Sequence, residues 1–331
     1  MEQSIPIQIN RELSVIIVTW NCRDDIIPCL DSLNKVSRNI NLEVIIVDNA
    51  SGDDTLHHIS ELFPDVIIIA NKENKGFAEG CNQGLRKAKG QFLLLLNPDT
   101  IVNLPALKET MDFLRNNKPA GCAAPRLLHP DGLPQKSAYA YPGVWTYICD
   151  QSLLSPLIEK FDKFIFRSGF KKAEFKEPVK TETYSRKVVW LMGAFIMIKR
   201  EIWEQVGELD AGYFMYSEDA DWCLRMHKQG WDCFYLPNLN IIHNQKGTSS
   251  KRKHFTYVRI YKSMLRLYEK HTSKVTCLIF KGMVIIDLIV RLLIYGGLYC
   301  LSPKKRESLR EKIRAVRDIL KIYLVGNDHV E

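Results

Sequence analysis

Four short runs of Val, Ile and Leu, at 13–18, 44–47, 66–70 and 92–96, are nearly continuous in apolar residues rather than alternating with polar ones. Strands covered on both faces read this way, because neither face meets water. Between and after the runs the apolar positions take helical spacing, over 25–35, 53–63 (opened by the capping residues SGDD), 78–89 and 104–116. The βαβαβαβ alternation, joined by right-handed crossovers, predicts an α/β fold with a mainly parallel twisted sheet flanked by helices. Ligands of such sheets bind outside the carboxyl ends of the strands, where loops and helix starts converge. Each predicted strand ends in polar residues: TWN at 19–21, DNAS at 48–51, NKENKG at 71–76 and NPD at 97–99. The four loops are expected to face one crevice.

Beyond residue 119 the pattern weakens into sequence rich in Pro, Tyr and Lys as far as 186, read as a loop-rich insertion with one helix near 151–166. A second apolar run, VVWLMGAFIMIKR, then precedes GELDAGYFMYSEDADWCLRMHKQGW and IIHNQKGTSS. The stretch 275–301 is strongly apolar, but Lys281, Asp287 and Arg291 interrupt it. Its longest uncharged part falls short of the roughly 20 residues that cross a bilayer. On a helical wheel Lys274 and Lys281 lie near one direction with Asp287 and Arg291 flanking them, which predicts an amphipathic helix. After Pro303, Leu309, Ile313, Val316, Leu320 and Leu324 form one stripe, with Lys304, Lys305, Arg306, Arg310, Arg314 and Arg317 mostly elsewhere. Basic amphipathic helices suit an anionic membrane surface, here across 275–324. A helical pair packed on the rest of the chain, or across a homodimer, is the other reading.

Charge sharpens that division. The net charge over 331 residues is +8, and residues 251–331 hold 18 basic and 7 acidic residues, a surplus of 11, so the first 250 carry −3. No nucleic acid partner is expected, because no reading module or interleaving of aromatic and basic residues accompanies the basic tail. Nine cysteines are scattered and never spaced CxxC, which argues against a disulfide framework and a zinc site. The first residues lack the basic-then-apolar pattern of a secretory signal, so a cytoplasmic protein is expected. Neither GxGxxG nor GxxxxGK[ST] occurs, which removes the usual dinucleotide and P-loop readings.

Candidate chemistry lies at the strand ends. Asp48 and Asp99 each follow a buried run, where a carboxylate must be solvated, held by backbone N–H groups, or matched to a ligand or cation. Asp48 suits a hydrogen bond from a base or sugar, and Asp99 a metal; capping of the next helix is the bland alternative for Asp48. Magnesium and manganese accept one or two protein carboxylates and complete their shells with water and phosphate oxygens, so Asp99 with a nucleotide diphosphate is chemically sufficient. Glu218, Asp219 and Asp221 crowd into four residues, with Arg225 and the apolar Trp222 and Met226 at helical spacing behind them. They are either an acidic helix start or the source of a general base, and the pattern does not choose among the three. His243 stands apart from the other histidines by following LNII and preceding NQKGTSS.

The pieces SVIIVTWN, VIIVDNASGD, NKGFAEGCN, LLLNPDT, PDG followed by SAYAYP, GAFIMIKRE, GELDAGYFMYSEDADWCLR and HNQKGTS occur in that order over about residues 13–250. Together they resemble the inverting glycosyltransferases of family 2, which have the GT-A fold, and most of all their bacterial rhamnosyltransferase branch. The resemblance implies a catalytic domain over 1–250, with nucleotide-sugar binding over about 13–120 and acceptor binding over about 121–250. Residues 251–331 are then a basic amphipathic helical tail. By resemblance Thr19, Asn21, Asp48, Asn74 and Asn82 line the nucleotide pocket, and Asn49, Ser51, Gly76, Phe77, Asn97 and Asp99 belong to the same donor side. Asp99 matches the last acid of the family's DxD metal motif, His243 an additional metal ligand, and Asp219, beside Glu218, the catalytic base. Gly193, Ala194 and Phe195 match a turn beside the acceptor, with Asp221 and Arg225 on that side. Asn97 departs from the family by replacing the first acid of DxD, which lowers the expected metal affinity.

The implied activity is transfer of a sugar with inversion, by single displacement with divalent magnesium or manganese. The favoured donor is dTDP-L-rhamnose, and the acceptor a lipid-linked saccharide or polysaccharide at the inner face of the cell membrane. Three alternatives stand beside it: a UDP-sugar donor within the same family, nucleotidyl transfer making an activated sugar, and a non-catalytic carbohydrate-binding protein. The nucleotidyltransferase reading lacks its Gly-rich phosphate loop, since TWNCRDD follows the first strand. The non-catalytic reading requires loss of Asp99, Asp219 or His243, and all three are present.

Overall fold

The computed structural model describes residues 11–141, 184–245 and 253–326, together with Tyr147, Ser152 and Leu153. Apart from Ser152 and Leu153, the stretch 151–166 in which a helix is expected lies outside the described residues, as does the KGTSS end of the last motif. The four apolar runs are β1 (Arg11–Thr19), β2 (Leu42–Asp48), β3 (Ile67–Ala70) and β4 (Gly90–Leu96). Their crossovers are α1 (Arg23–Ser37), α2 (Thr55–Leu62) and α3 (Phe77–Lys87); β5 (Thr100–Ile101) and α4 (Leu104–Asn116) follow. α4 starts where its cap dictates, with the Asn103 side chain accepting from Ala106 N at 2.9 Å. At α2 the capping run acts through Asp53, whose Oδ1 accepts from Thr55 N at 3.1 Å, while Asp54 makes no side-chain cap.

Further along come β6 (Ala120–Leu128), β7 (Ala138–Tyr139), β8 (Arg186–Val188), β9 (Trp190–Leu191), β10 (Phe195–Lys199), α5 (Arg200–Val206), α6 (Glu218–Lys228) and β11 (Asp232–His243). The main sheet runs β3-β2-β1-β4-β10-β6-β11-β5, with β8 on β11, and β7 pairs with β9. β1 to β4 are mutually parallel, as the apolar runs predict. The other half is mixed, because β10 inserts antiparallel between β4 and β6. Ile196, Met197 and Ile198 are fully buried there, so this strand belongs in the sheet's interior. β11 runs parallel to β6, passes a register shift between Leu236 and Asn240, and ends antiparallel to β5. That last pairing sets His243 opposite Thr100, one residue past Asp99.

The described residues fall into two compact units: 11–139 with 184–214 and 218–245, and 253–326 with 140–141, 147, 152–153 and 215–217. The second holds α7 (Lys253–His271), α8 (Lys274–Leu301) and α9 (Arg306–Val325) around a core of Tyr147, Tyr261, Tyr268, Phe280, Ile319 and Tyr323. Both amphipathic helices expected from the sequence are present, but each turns differently. In α8 the Asp287 carboxylate is buried, accepting from Arg291 Nε at 2.7 Å, Leu153 N at 2.7 Å and Tyr147 OH at 3.2 Å. Of the charges grouped by the wheel, Asp287 and Arg291 therefore turn inward while Lys274 stays exposed, and Val275, Leu278, Ile286, Leu293 and Leu301 point out. In α9 the buried stripe is Leu309, Val316, Ile319 and Tyr323, and Leu324 is exposed. No helix of the described residues is long and apolar enough to cross a membrane.

Candidate active site

At the carboxyl ends of β1 and β2, Thr19 and Asp48 stand opposite each other in register. Asp48 Oδ1 accepts from Thr19 Oγ1 at 3.0 Å and Ser51 Oγ at 2.5 Å, and Oδ2 from Ser51 N at 2.9 Å. The carboxylate shapes its loop and does not cap α2, which begins at Thr55. Asn21 joins the same corner: its N–H donates to Ser51 Oγ and its Oδ1 accepts from Gly52 N. Asn21 and Ala50 both have left-handed backbone, φ 50° and 59°, a strained geometry that clusters at ligand sites.

The NKGF stretch builds the start of α3. Asn74 Oδ1 accepts from Gly76 N, and Asn49 Nδ2 donates to Gly76 O. Gly76 has φ 84°, and a Cβ there would lie 2.3 Å from Phe214 O, so no other residue fits. Phe77 N donates to that same Phe214 carbonyl. Asn82, expected in the nucleotide pocket, spends both ends of its amide on the Leu209 backbone and is buried.

A second corner forms where β4, β5 and β11 end. His243 Nε2 lies 3.2 Å from Asp99 Oδ1 and 3.3 Å from Asn97 Nδ2, and both His243 and Asp99 are buried. At this separation a protonated Nε2 would donate to the carboxylate, and an unprotonated Nε2 would share a cation with it. This set of one carboxylate, one imidazole and the neutral Asn97 could hold one divalent cation, leaving other positions for water and an anionic ligand.

The third corner is the start of α6. Gly193 N donates to Asp219 Oδ2 at 2.8 Å, and Ala220 N to Asp219 Oδ1 at 2.8 Å. Burial pushes the Asp219 carboxyl up to about 6, against the pull of those two N–H groups. Glu218 stands well above the usual carboxylate range, through burial and then the neighbouring Asp219 charge. Residues Tyr216 and Ser217 enter the helix with φ 72° and 64°. The 193–194 turn ties this corner to the metal-capable one, because Asn97 N donates to Ala194 O at 3.0 Å.

Three residues expected on the acceptor side are engaged within the fold. Phe195 is fully buried in β10, opposite Leu96. Asp221 is fully buried and takes a bond from Arg225 Nε at 2.9 Å, while Arg225 also donates to Val206 O and Glu208 O. Those two residues clasp α6 to the end of α5. Helical spacing placed them beside Asp219 in sequence, but the 100° turn per residue points them to other sides. Although the cysteines are scattered along the chain, Cys122, Cys223 and Cys233 come from three elements, and their ligand atoms lie within 4.8 Å of one another. All three are buried in the core, and no fourth His, Cys, Asp or Glu joins them among the described residues.

Gln135, which the sequence reading passed over, is buried against His243, with Oε1 2.8 Å from its Nδ1 and Nε2 2.5 Å from its carbonyl oxygen.

A family profile described as Glycosyl transferase family 2 matches residues 14–225. Over 250 residues the chain is 24% identical to the N-acetylglucosaminyl-diphospho-decaprenol L-rhamnosyltransferase of Mycobacterium tuberculosis, covering 72% of this chain and 78% of that protein. Over 243 residues it is 27% identical to the rhamnosyltransferase WbbL of Escherichia coli, covering 69% and 82%. Among solved structures, the mannosyltransferase of Pyrobaculum calidifontis in complex with GDP-Man and Mn2+ aligns over 97% of this chain and 90% of its own, with a TM-score of 0.52 and 16% identity. That last likeness is one of fold, a mixed α/β sheet flanked by helices. With the profile spanning the strand-end loops and Asp219, the chain belongs to glycosyl transferase family 2 and is a hexosyltransferase with a GT-A fold.

Proposed function

We propose that the protein transfers L-rhamnose from dTDP-L-rhamnose to a lipid-linked saccharide or polysaccharide, with inversion at the anomeric carbon. The observation that carries the chemistry is Asp219 at the start of α6, a carboxylate pushed up to about 6 by burial and oriented by the N–H of Gly193, whose turn is bonded to the Asn97–Asp99 loop through Ala194 O. Asp219 accepts the acceptor's hydroxyl proton as its oxygen bonds to the anomeric carbon. The bond from that carbon to the nucleoside diphosphate breaks in the same step. Asp99 and His243 hold a magnesium or manganese ion, with Asn97 beside them; such an ion, when bound, neutralises charge on a departing diphosphate. Asp48, Thr19 and Asn21 form the corner for the nucleoside. Rhamnose is favoured over other sugars because two relatives of the chain are named rhamnosyltransferases, and a lipid-linked acceptor because one of those names includes a decaprenol diphosphate. A UDP-sugar donor is the competing reading. A donor screen with and without divalent metal, following nucleotide release and the product's anomeric configuration, decides between them: turnover of dTDP-rhamnose with inversion is expected, and preference for UDP-glucose overturns the donor assignment.

The helical unit is the part that meets the membrane. α8, a helix of 28 residues and about 42 Å, exposes an apolar face, and residues 251–331 carry the surplus of 11 positive charges. The positive surplus of the segment repels a second copy of itself and complements anionic headgroups, so the occupant is an anionic bilayer, with the helix lying in its surface. Flotation with phosphatidylglycerol vesicles should recover the protein, and Leu278→Glu with Leu293→Glu should lose it. Wild-type protein that stays at the bottom at low salt, or that sediments as a dimer broken by these substitutions, overturns the membrane reading.

A further inference from the structure

The turn HPDGLPQ, at 129–135, is a conspicuous motif to which the transfer reaction assigns no role. It follows β6 directly and folds back on itself: Gly132 N donates to His129 O, His129 N to Leu133 O, and Leu133 N to Asp131 Oδ1. Gly132 has φ 82°, which the turn requires and a side chain would strain. Gln135 N then donates to Leu127 O, which pins the residue after the turn beside β6. The result is that Gln135, 2% exposed, lies against His243 on the neighbouring strand β11, 108 residues away.

Both ends of this amide are determined by a group with no ambiguity. The His243 carbonyl oxygen accepts only, so the atom 2.5 Å from it is the Gln135 amide nitrogen. The same nitrogen donates to His129 Nδ1 at 3.0 Å. The other end, Oε1, is therefore an acceptor facing His243 Nδ1 at 2.8 Å, and Nδ1 must carry its proton. The ring's second nitrogen, Nε2, is thereby left as the one aimed at Asp99 Oδ1.

We infer that Gln135 is a positioning residue: it fixes the rotamer and the Nδ1–H form of His243, so that Nε2 presents its lone pair to the divalent cation. This rests on the proposed metal role of Asp99 and His243. Partners that orient a ligating histidine in this way typically contribute about 10- to 100-fold in metal affinity.

The test is Mn2+ binding followed by electron paramagnetic resonance on the full chain without donor, so that turnover is not the readout. Gln135→Met, similar in volume and unable to accept from Nδ1–H, should weaken Mn2+ about 10- to 100-fold. Gln135→Glu, which retains an acceptor for Nδ1–H although its second oxygen no longer donates to the His243 carbonyl unless protonated, should lose less affinity than Gln135→Met. Wild-type Mn2+ binding in Gln135→Met, or equal loss in both variants, overturns the inference. A measurement on the wild-type protein keeps it open to refutation if a variant does not fold. In 15N spectra of histidine-labelled enzyme, His243 should carry a proton on Nδ1, and a neutral ring protonated on Nε2 instead refutes it. Failure of the wild-type protein to bind Mn2+ at all would be a different result, one that removes the metal reading itself.

Discussion

Asp99 and Asp287 are both buried aspartates, and their surroundings differ in a way that separates a site from a scaffold. Asp287 is saturated: a guanidinium, a phenol and a backbone N–H all donate to it within one helical unit. Asp99 faces the imidazole of His243, whose other nitrogen is already engaged by Gln135. A carboxylate with three donors, one of them a cation, stabilises the fold and has little left to offer a ligand. One that faces a lone pair gains most when a cation arrives, and folding alone does not satisfy it.

Four experiments would break or sharpen this contrast. The largest effect belongs to the reacting carboxylate: Asp219→Asn should lower turnover by about 10² to 10⁴ while nucleotide binding persists, checked by single-turnover assay and calorimetry. Next in size is Arg291→Met, which leaves Asp287 buried without its cation. It should cost about 3–5 kcal/mol of stability in denaturant unfolding, whereas Asp99→Asn should leave stability nearly unchanged and abolish Mn2+ binding. If Asp99→Asn destabilises as much as Arg291→Met does, the two aspartates are not different in kind. Third, kcat/KM should fall about tenfold per pH unit below about 6, because Asp219 must be ionised to accept a proton. A flat profile from pH 7 down to 4.5 would remove it as the base.

The smallest effect concerns Glu218, whose folded-state proton affinity is raised by burial. A folded state that binds its proton more tightly than the unfolded chain is stabilised at low pH. It loses that advantage as pH rises above the unfolded value of roughly 4.3. Glu218→Gln does not titrate, so its thermal midpoint relative to wild type should increase from pH 4 to pH 8. A constant offset would mean that Glu218 is not perturbed by its surroundings.

Much of the parallel half of the sheet was legible beforehand. β1, β2 and β4 are continuous apolar runs because both of their faces are covered, and α4 spans the predicted residues with its start fixed by the Asn103 cap. Asp48, Asp99 and Asp219 were conspicuous as charges at the ends of apolar or helical segments. The packing of Phe195, Asn82, Asp221 and Arg225 was not legible, because side-chain direction depends on what packs against each residue. Gln135 went unnoticed for the same reason, its partner being 108 positions away.

The helical tail shows the limit most clearly. The sequence by itself determined that 275–301 and 306–325 are amphipathic helices, because periodicity is a local property of the chain. It determined likewise that four parallel βα units end in polar loops. Only the tertiary structure decided which face of α8 turns inward, through Tyr147 and Leu153 donating to Asp287. The packing also brought three distant thiols together and set His243 beside Asp99 through the pairing of β5 with β11. Local patterns encode how a segment can be amphipathic, but the free energy of burying one face or one charge depends on partners that the chain supplies from far away.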